Sequence, residues 1–455
     1  MNPLWTSRDI AAACGGVASG DFSVTGVAFD SREIGPGDLF VALKGEATDG
    51  HLFVDKAVEA GAAGLLVSEP ADAPHVRVVD TMAALNALGA AARGRTDAKV
   101  IGVTGSVGKT TTKETLFTAL DRGAPGRVHR SLKSYNNHTG VPLSLARMPA
   151  ETRFGVFEMG MNHSGEIAAL TRLVRPHVAV VTTIAPAHIE HLGSMEAIAD
   201  AKAEIFEGLE PGGTAIVPFD SPYCGQLRAA AERCGARVVT FGLGEGADAR
   251  ALYAVAAEAG TLVTARVGEA QLSFTIAQPG QHMVANALAV LGAVDAAGGD
   301  VGLAALALAE LGGLKGRGER HRIPVDGGEA LLIDESYNAN PASMAATLAM
   351  LGEEPGRRIA VLGTMRELGA HSDEAHAALA EPIEQAQVAC AILVGEEMAP
   401  LARALPPGVE REQVPDANAA VAALKERLRP GDAILVKGSN AVGLSALVSA
   451  LAEAG

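Results

Sequence analysis

The chain has 455 residues, of which 48% are hydrophobic and 20% are charged, so extensive disorder is excluded. Its 37 lysine and arginine residues against 53 aspartate and glutamate residues give a net charge of −16, which argues against binding along a nucleic acid backbone. A few backbone N–H groups can still bind a small anion at any net charge. The length predicts roughly three domains of ~150 residues each.

Cysteine content and terminal composition bear on the compartment. Cys14, Cys224, Cys234 and Cys390 are too few and too scattered for a disulfide framework, and we expect buried thiols in a reducing compartment. The segment MNPLWTSRDIAAACGG lacks a basic flank followed by an apolar core, so we expect no signal peptide. No uncharged apolar run reaches the ~18 residues that a membrane span needs. We therefore expect a cytoplasmic protein without membrane insertion.

Three sections of the chain differ in pattern, and each is predicted to form a domain. Residues 1–82 hold short strands separated by glycine-rich turns, and residues 83–312 alternate strand-like with helical runs. The alternation resumes in residues 313–455, after a segment rich in glycine and charge, LGGLKGRGER, which is the predicted hinge. Strands that alternate with helices predict an α/β fold with parallel sheets covered on both faces.

Individual elements follow from periodicity. VIGVTG predicts a strand followed by a helix from about Lys109, and FGVFEMG and HVAVVTTI predict strands buried on both faces. MEAIADAKAEIFEGL has a helical period and stops at PGG, and VTARVGEAQLSFTIAQPG alternates like an antiparallel strand pair. Beyond residue 313, strands are predicted at ALLIDES, RRIAVLG, CAILVG and DAILVKGS, each followed by a helix. Asn340 before Pro341 is predicted to cap the first of these helices.

The strongest chemical signal is VTGSVGKTTTKE at 103–114, where an apolar strand, a short glycine turn and a helix follow one another. Backbone N–H groups of such a turn cradle phosphate, Lys109 would reach the terminal phosphates, and the Thr110 hydroxyl would reach Mg²⁺. The long Walker pattern places a glycine where this chain has Val103, so the loop is a shortened form, G-x-x-G-K-T. An ordinary glycine turn entering a helix is the alternative.

Ionisable residues at two strand ends and in one helix are further candidates. Glu158 ends the strand in FGVFEMG, at the sheet edge where ligands bind, and a carboxylate there suits Mg²⁺. His188 and His191 follow the strand HVAVVTTI, and His188 is the favoured of the two. Lys202 lies in a helix between alanines and isoleucine. The alternatives are a solvated carboxylate, hydrogen-bonded histidines and a snorkelling surface lysine.

Two loops are dense in polar groups. Asn137 lies in SYNNHTGVPL, where an Asx turn explains the asparagine about as well as a substrate contact does. Asp334, Glu335, Tyr337 and Asn338 follow the strand ALLIDES and are more polar groups than a helix cap requires.

The motifs and their order along the chain resemble those of the Mur ligase family of amide-forming enzymes, over almost the whole sequence. The resemblance is carried by TGSVGKTTTKE, NNHTGVP, EMGMNHSGEI, IAPAHIEHLGS, AKAEIF, NALA, LKGRGER, DESYNANP, LGTMRELG and KGSNAVGL. It implies a small α/β UDP-substrate-binding domain at 1–82, a central P-loop ATP-binding domain with a mostly parallel sheet at 83–312, and a C-terminal Rossmann-like α/β domain at 313–455.

The resemblance also implies roles for the matching residues. Catalytic roles are implied for Lys109, Glu158, His188 and Lys202. Contacts with ATP are implied for Gly105, Ser106, Val107, Gly108, Lys109, Thr110, Thr111, Asn286, Arg317 and Asp334 or Glu335. Mg²⁺ ligands are implied at Thr110, Glu158, His188 and, if it is carbamylated, Lys202. Substrate contacts are implied for Ser31, Arg32, Asn137, Tyr337 and Asn338.

The activity that the resemblance implies is ATP-dependent addition of D-alanyl-D-alanine to UDP-N-acetylmuramoyl-tripeptide through an acyl phosphate. That would be the last cytoplasmic step in building the peptidoglycan pentapeptide precursor, carried out by a monomer. The alternatives are a related ligase that adds a diamino acid or glutamate, and a P-loop binding module without catalysis. The third residue of the tripeptide, lysine or diaminopimelate, stays open.

Three positions depart from the family pattern. Glu335 and Thr364 stand where the family usually has aspartate, and Asn440 stands where arginine is common. Thr364 and Asn440 both fall in the third predicted domain, so the implied contacts with the acceptor rest on the fewest matching residues.

Overall fold

A computed structural model of the chain describes residues 3–45, 48–186, 189–257 and 260–452. Within these residues three larger β-sheets follow one another along the chain, each packed with helices, which confirms the predicted α/β fold. Their strands lie in residues 17–77, 99–276 and 319–437, so each predicted domain contains one of these three sheets. No helix in the described residues is both long and apolar enough to cross a membrane.

Short elements make up the first section. They are β1 (Trp5–Thr6), α1 (Ser7–Cys14), β2 (Val17–Ala18), β3 (Ser23–Val24), β4 (Gly26–Ala28), β5 (Asp38–Val41), α2 (Val54–Glu59), β6 (Gly64–Val67), β7 (His75–Arg77) and α3 (Thr81–Gly94). The sheet order is β2-β7-β6-β5-β4, with β2 antiparallel to β7 and the other pairs parallel. β1 and β3 form a separate antiparallel pair.

The central section carries the largest sheet. Its strands are β8 (Lys99–Thr104), β9 (Val128–Arg130), β10 (Phe154–Glu158), β11 (Val178–Val181), β12 (Thr214–Pro218), β13 (Arg237–Gly242), β14 (Ala249–Ala257), β15 (Gly260–Val267) and β16 (Ala270–Ile276). Its helices are α4 (Lys109–Gly123), α5 (Gly140–Ala146), α6 (Glu166–Val174), α7 (Ile189–Leu192), α8 (Met195–Ala203), α9 (Cys224–Arg233), α10 (Gln281–Ala296) and α11 (Val301–Ala307). The order is β16-β15-β14-β13-β12-β11-β8-β10-β9.

The middle of this sheet is parallel and covered on both faces, as the apolar runs predict. Along β8, Ile101 and Val103 join a cluster with α4, α10 and α11, whereas Val100 joins a second cluster with α5, α6, α8 and α9. Side chains alternate between the faces of a strand, so both sets are buried. The predicted antiparallel pair is β15 and β16, whose register pairs Val267 with Ala270 across a two-residue turn.

The third section is a six-stranded sheet with helices on its faces. Its elements are β17 (Glu319–Val325), β18 (Gly328–Glu335), α12 (Pro341–Glu353), β19 (Arg358–Gly363), α13 (Ser372–Ala377), α14 (Ala380–Gln385), β20 (Cys390–Val394), α15 (Ala399–Ala404), β21 (Glu410–Val414), α16 (Ala417–Lys425), β22 (Ala433–Lys437) and α17 (Leu444–Ala452). The order is β17-β18-β22-β19-β20-β21, parallel except for β17. The predicted cap is confirmed, because Asn340 Oδ1 accepts from the Ser343 N–H at 2.9 Å and α12 begins at Pro341.

The predicted hinge LGGLKGRGER joins α11 to β17 without a helix, and its chain turns back on itself. Leu314 and Arg317 exchange backbone hydrogen bonds of 3.2 and 2.7 Å. A Cβ atom on Gly313 would overlap the backbone of Gly318, so this close approach requires glycine. Gly316 has a φ of +73°, in the left-handed region that glycine favours.

The first and central sections share a hydrophobic core. Leu85 and Leu88 of α3 are fully buried in one cluster with the first sheet, and Leu143 and Ala146 of α5 belong to the same cluster. The Trp5 indole N–H donates to the Ala146 carbonyl at 2.8 Å. The predicted domain boundary after residue 82 falls in the first turn of α3, so the two sections meet through a packed interface at this helix.

We expect Leu88→Ala to lower the free energy of unfolding by about 2–5 kcal/mol, because it opens a cavity in this shared core. Trp5, the one tryptophan of the chain, is 3% exposed in the same cluster, so its fluorescence during urea unfolding measures the loss. Leu306→Ala is the matched control, since Leu306 is 56% exposed on a helix, and its effect should stay within about 0.5 kcal/mol. Equal effects of the two substitutions would contradict the shared core.

Candidate active site

The predicted phosphate loop connects β8 to α4 in a conformation that needs glycine. Gly105 and Gly108 have φ values of +147° and +84°, which L residues rarely adopt. A Cβ atom on Gly105 would also overlap the Thr182 hydroxyl. The Ser106 N–H donates to the Thr183 carbonyl at 2.8 Å, which fixes the loop to the segment after β11. The loop leads directly into the N-terminus of α4, where the N-cap Gly108 has no side chain and the backbone N–H groups can bind an anion.

A cavity of about 360 Å³ opens at this loop. It lies between the central and third sections, at the carboxyl ends of their strands, where ligands bind in open parallel sheets. The predicted site residues that line it are Ser106, Val107, Gly108, Lys109, Thr110, Thr111, Glu158, Asn286, Arg317, Glu335, Tyr337 and Asn338. The fold thus brings together segments that lie more than 200 residues apart in the sequence.

Glu158 is 1% exposed at the end of β10, and each of its oxygens accepts a hydrogen bond. The Thr110 hydroxyl donates to Oε2 at 2.9 Å, and Asn136 Nδ2 donates to Oε1 at 2.7 Å. Two oxygen groups that are predicted to be Mg²⁺ ligands, the Thr110 hydroxyl and the Glu158 carboxylate, are therefore in contact. Hard oxygen ligands of this kind suit Mg²⁺, which takes few protein ligands and shares phosphate oxygens.

Lys109 lies at the first position of α4, and its Nζ donates to the Gly105 carbonyl at 2.7 Å. Burial lowers the pKa of the Lys109 ammonium, and the nearby Glu158 carboxylate opposes that shift. The side chain folds back over the loop and lines the cavity. The Lys109 ammonium is therefore placed to contact phosphate groups bound in the cavity.

Lys202 is fully buried near the end of α8, and among the described residues its Nζ has no hydrogen-bond partner. Burial lowers the pKa of Lys202 well below its usual value, and the neighbouring Lys109 ammonium lowers it further. A buried, unpaired amine is costly, so lysine is rarely found in this state. The orphaned Nζ fits the carbamate hypothesis, because a neutral amine can react with carbon dioxide and the product would be an anion able to bind Mg²⁺.

Residues of the third section close the opposite wall of the cavity. The Arg317 guanidinium lies 4.1 Å from the centre of the Tyr337 ring. Asp334 is buried, and its carboxylate accepts from the backbone N–H groups of Gly316 and Ser336 at 2.8 and 3.0 Å. Glu335 instead lines the cavity. Of the two acidic residues predicted near ATP, Asp334 holds the hinge loop and Glu335 is accessible to a ligand.

Seven predicted site residues are not among the described residues that line the cavity. Gly105, Lys202 and Asp334 are described above, and the others are Ser31, Arg32, Asn137 and His188. Ser31 and Arg32 form a short 3₁₀ helix after β4, where Arg32 pairs with Asp30 at 2.6 Å. Asn137 accepts from two backbone N–H groups of its own turn, so the structure supports the Asx-turn alternative for it. His188 lies outside the described residues, and its role stays a prediction. His191, in α7, is exposed.

Sequence reasoning missed two residues that complete the site. Asn136, next to the predicted Asn137, carries the side chain that contacts Glu158. Lys437 ends β22, lines the cavity and pairs with Glu335 at 3.3 Å. Burial lowers the pKa of Lys437, and Glu335 opposes that shift. The strand-end criterion that selected Glu158 would also have found Lys437, whereas nothing in the spacing distinguishes Asn136 from Asn137.

Three models of the Mur ligase family match the chain in succession. The "Mur ligase family, catalytic domain" matches residues 23–106, the "Mur ligase middle domain" residues 103–294, and the "Mur ligase, glutamate ligase domain" residues 316–440. The UDP-N-acetylmuramoyl-tripeptide–D-alanyl-D-alanine ligase of Escherichia coli is 36% identical over 97% of this chain and 96% of its own length. The ligase of the same name from Bacillus subtilis is 37% identical over 94% and 93%.

Solved structures agree with these matches. MurF from Acinetobacter baumannii superimposes with a TM-score of 0.86 at 30% identity, covering 100% of this chain and 99% of that one. MurF from Thermotoga maritima, solved in complex with ADP, has a TM-score of 0.79 at 27% identity and covers 94% and 97%. The resemblance seen in the motifs is thereby confirmed along the full length of the fold, and the chain belongs to the Mur ligase family.

Proposed function

We propose that the protein is an ATP-dependent ligase that joins D-alanyl-D-alanine to UDP-N-acetylmuramoyl-tripeptide. One observation carries the proposal: Lys109, Glu158 and Arg317, which come from three separate segments, line a single cavity at a phosphate loop. Full-length similarity to ligases of this specificity from Escherichia coli and Bacillus subtilis supports the choice of substrates.

ATP is proposed to bind with its phosphates on the loop 105–111. The positive φ angles of Gly105 and Gly108 support this, because they shape the turn before α4. Lys109 would exchange its bond to the Gly105 carbonyl for phosphate oxygens. Asn286, whose side chain lies beside Gly108, and Arg317 line the remaining cavity, and the ADP complex of the Thermotoga maritima relative is consistent with a nucleotide there.

The reaction joins a carboxylate to an amine in two steps. A carboxylate oxygen of the tripeptide attacks the γ-phosphorus of ATP, the bond to the β–γ bridging oxygen breaks, and ADP leaves. The amine of D-alanyl-D-alanine then attacks the acyl carbon, loses a proton, and inorganic phosphate leaves as the amide forms. Both partners of the first step are anions, so the Lys109 and Arg317 cations would offset their repulsion and hold them in line. A cavity between two sections can exclude the water that would hydrolyse the acyl phosphate.

Thr110, Glu158 and carbamylated Lys202 are proposed to hold Mg²⁺. His188, which lies outside the described residues, is proposed as a further ligand. When bound, Mg²⁺ would supply positive charge to the phosphate oxygens. Glu158 is suited to this role because Thr110 and Asn136 already fix its orientation.

The uridine nucleotide is proposed to contact Ser31 and Arg32. The next residue, Glu33, supports a link from this position to the cavity, because Tyr135 Oη donates to Glu33 Oε1 at 2.7 Å and Lys133 Nζ also donates to that oxygen. Tyr135 directly precedes Asn136, which holds Glu158. The donor substrate would therefore bind beside the loop that positions the metal carboxylate.

We further propose that the protein acts in the cytoplasm as a monomer on these small-molecule substrates.

With purified protein, we expect ADP release only when ATP, Mg²⁺, UDP-N-acetylmuramoyl-tripeptide and D-alanyl-D-alanine are all present, because the acyl phosphate is consumed by the dipeptide. A coupled ADP assay with lysine and diaminopimelate tripeptides and a panel of amino acids and dipeptides measures this, and mass spectrometry identifies the product. ADP release that ignores the dipeptide would contradict the ligase. A faster reaction with a free diamino acid or glutamate would favour the related ligase instead.

Lys109→Ala should lower kcat by ~10²–10³-fold, the loss seen when one preorganised electrostatic contact to the transition state is removed. Steady-state kinetics with all substrates measures it. Lys425→Ala is the matched control because Lys425 is exposed in the last turn of α16, and it should retain full activity. Unchanged kcat in a folded Lys109→Ala protein would remove the phosphate loop from the mechanism.

If Lys202 is carbamylated, Lys202→Ala should lose most activity and regain part of it with acetate or propionate, which would place a carboxylate in the vacated space. Activity across a concentration series of each acid is the measurement. Lys109→Ala should show no such recovery. A ¹³C-bicarbonate carbamate resonance in the wild type that is missing in Lys202→Ala gives independent support. The absence of both recovery and resonance would contradict the modification.

A further inference from the structure

Lys113 of the phosphate-loop helix is fully buried, like Lys202, and the mechanism above gives it no role. It is 0% exposed, one turn after Thr110 on the same face of α4. Its Nζ donates to the Lys133 carbonyl at 2.6 Å and lies 3.0 Å from Glu114 Oε1. A third oxygen, Oε2 of Glu158, lies 3.8 Å away.

The distance to Glu158 is informative. At 3.8 Å the Lys113 ammonium is within ion-pair range of the carboxylate but beyond hydrogen-bond distance. The shorter contacts with the Lys133 carbonyl and Glu114 hold it there. Lys113 thus supplies a positive charge to a buried carboxylate, which needs one, without taking either of the oxygens that a metal would use.

Glu114 is itself held in place. Arg130 Nε of β9 lies 2.7 Å from Glu114 Oε2, and the Arg130 guanidinium stacks 3.6 Å over the Phe117 ring. The position of the Lys113 ammonium is therefore set by a supported carboxylate on one side and by a backbone carbonyl on the other.

That carbonyl belongs to a strained loop. Lys133 has a φ of +50°, a conformation that a residue with a Cβ atom adopts only when its surroundings hold it. Three residues later Asn136 donates to Glu158 Oε1, and its carbonyl accepts from the Gly160 N–H at 2.8 Å. The hydrogen bond from Lys113 therefore anchors the loop whose end orients Glu158.

We propose that Lys113 is a positioning residue for the Glu158 carboxylate: its ammonium holds the strained turn at Lys133, and through it Asn136, so that Glu158 is ordered before metal and nucleotide bind. The inference rests on the proposed function only in taking Glu158 as a metal ligand. Without Lys113, ordering of the loop would have to occur during binding, which weakens metal affinity.

The test is Mn²⁺ binding in the presence of ADP, followed by the electron paramagnetic resonance signal of free Mn²⁺, which needs no turnover. Lys113→Met should raise the Mn²⁺ dissociation constant about 10- to 100-fold, the usual cost of losing a group that supports a metal ligand. In the ligase assay the Mg²⁺ concentration for half-maximal rate should rise in parallel, with kcat at saturating Mg²⁺ falling less than about threefold. Lys113→Arg, which keeps the charge and the donors, should recover most of the affinity.

Thr112→Val is the matched control, because Thr112 is fully buried in the same helix turn and its hydroxyl has no hydrogen-bond partner among the described residues. It should leave Mn²⁺ affinity unchanged. If circular dichroism shows that Lys113→Met does not fold, Lys113→Gln is judged by the same criterion. Unchanged or tighter Mn²⁺ binding would overturn the positioning role, since a purely repulsive ammonium would give tighter binding. Wild-type protein that binds Mn²⁺ and ADP but forms no amide would instead contradict the proposed function.

Discussion

The site depends on one constraint: Glu158 and Lys113 are shielded from water, so each of them needs a partner within the protein. A buried carboxylate or ammonium is tolerated only with a partner of opposite charge or with hydrogen bonds that replace water. Glu158 meets this condition through the Thr110 hydroxyl, the Asn136 amide and the Lys113 ammonium. These partners come from the phosphate-loop helix and from the loop after β9, so the electrostatic requirement of one carboxylate fixes the relative position of two segments.

Each side of the cavity pairs its buried charged groups within its own section. On the central side, the hydrogen bonds of Glu158 join elements within one section. On the other side, Lys437 and Glu335 pair within the third section. As far as the structure describes them, both hydrophobic clusters of that section contain only residues from Ile323 onwards. The walls of the cavity are thus built from separate cores and are joined by the predicted glycine-rich hinge, an arrangement that suits closure around a reactive intermediate.

Much of this architecture was predictable because it depends on short-range patterns. Buried parallel strands leave continuous apolar runs, and the strand–glycine–helix order at Lys109 favours a phosphate loop over an ordinary glycine turn. The side chains that complete the site depend on features that spacing does not encode. Asn136 rather than Asn137 contacts Glu158, and the loop that carries it turns at Lys133. The positive φ of Lys133 cannot be predicted from the residue pattern.

Burial explains two further differences. Asp334 and Glu335 are adjacent on β18, so the pleat of the strand sends them to opposite sides, and only the fold shows that Glu335 faces the cavity. Lys202 looks like a surface lysine in a helical pattern, yet it is fully enclosed. The resemblance to the family implied a role for it, and the structure shows an enclosed amine without a partner among the described residues.

The packing of α3 against α5 has a consequence for how such proteins can be recombined. Leu39 of the first sheet, Leu88 of α3 and Leu143 of α5 contribute to one core, although the predicted domain boundary separates Leu39 from the other two. A chimera that takes its first section from one relative and its central section from another would combine two surfaces that had not evolved to pack together. Exchange at this junction is therefore expected to succeed only when both helices are inherited from the same parent.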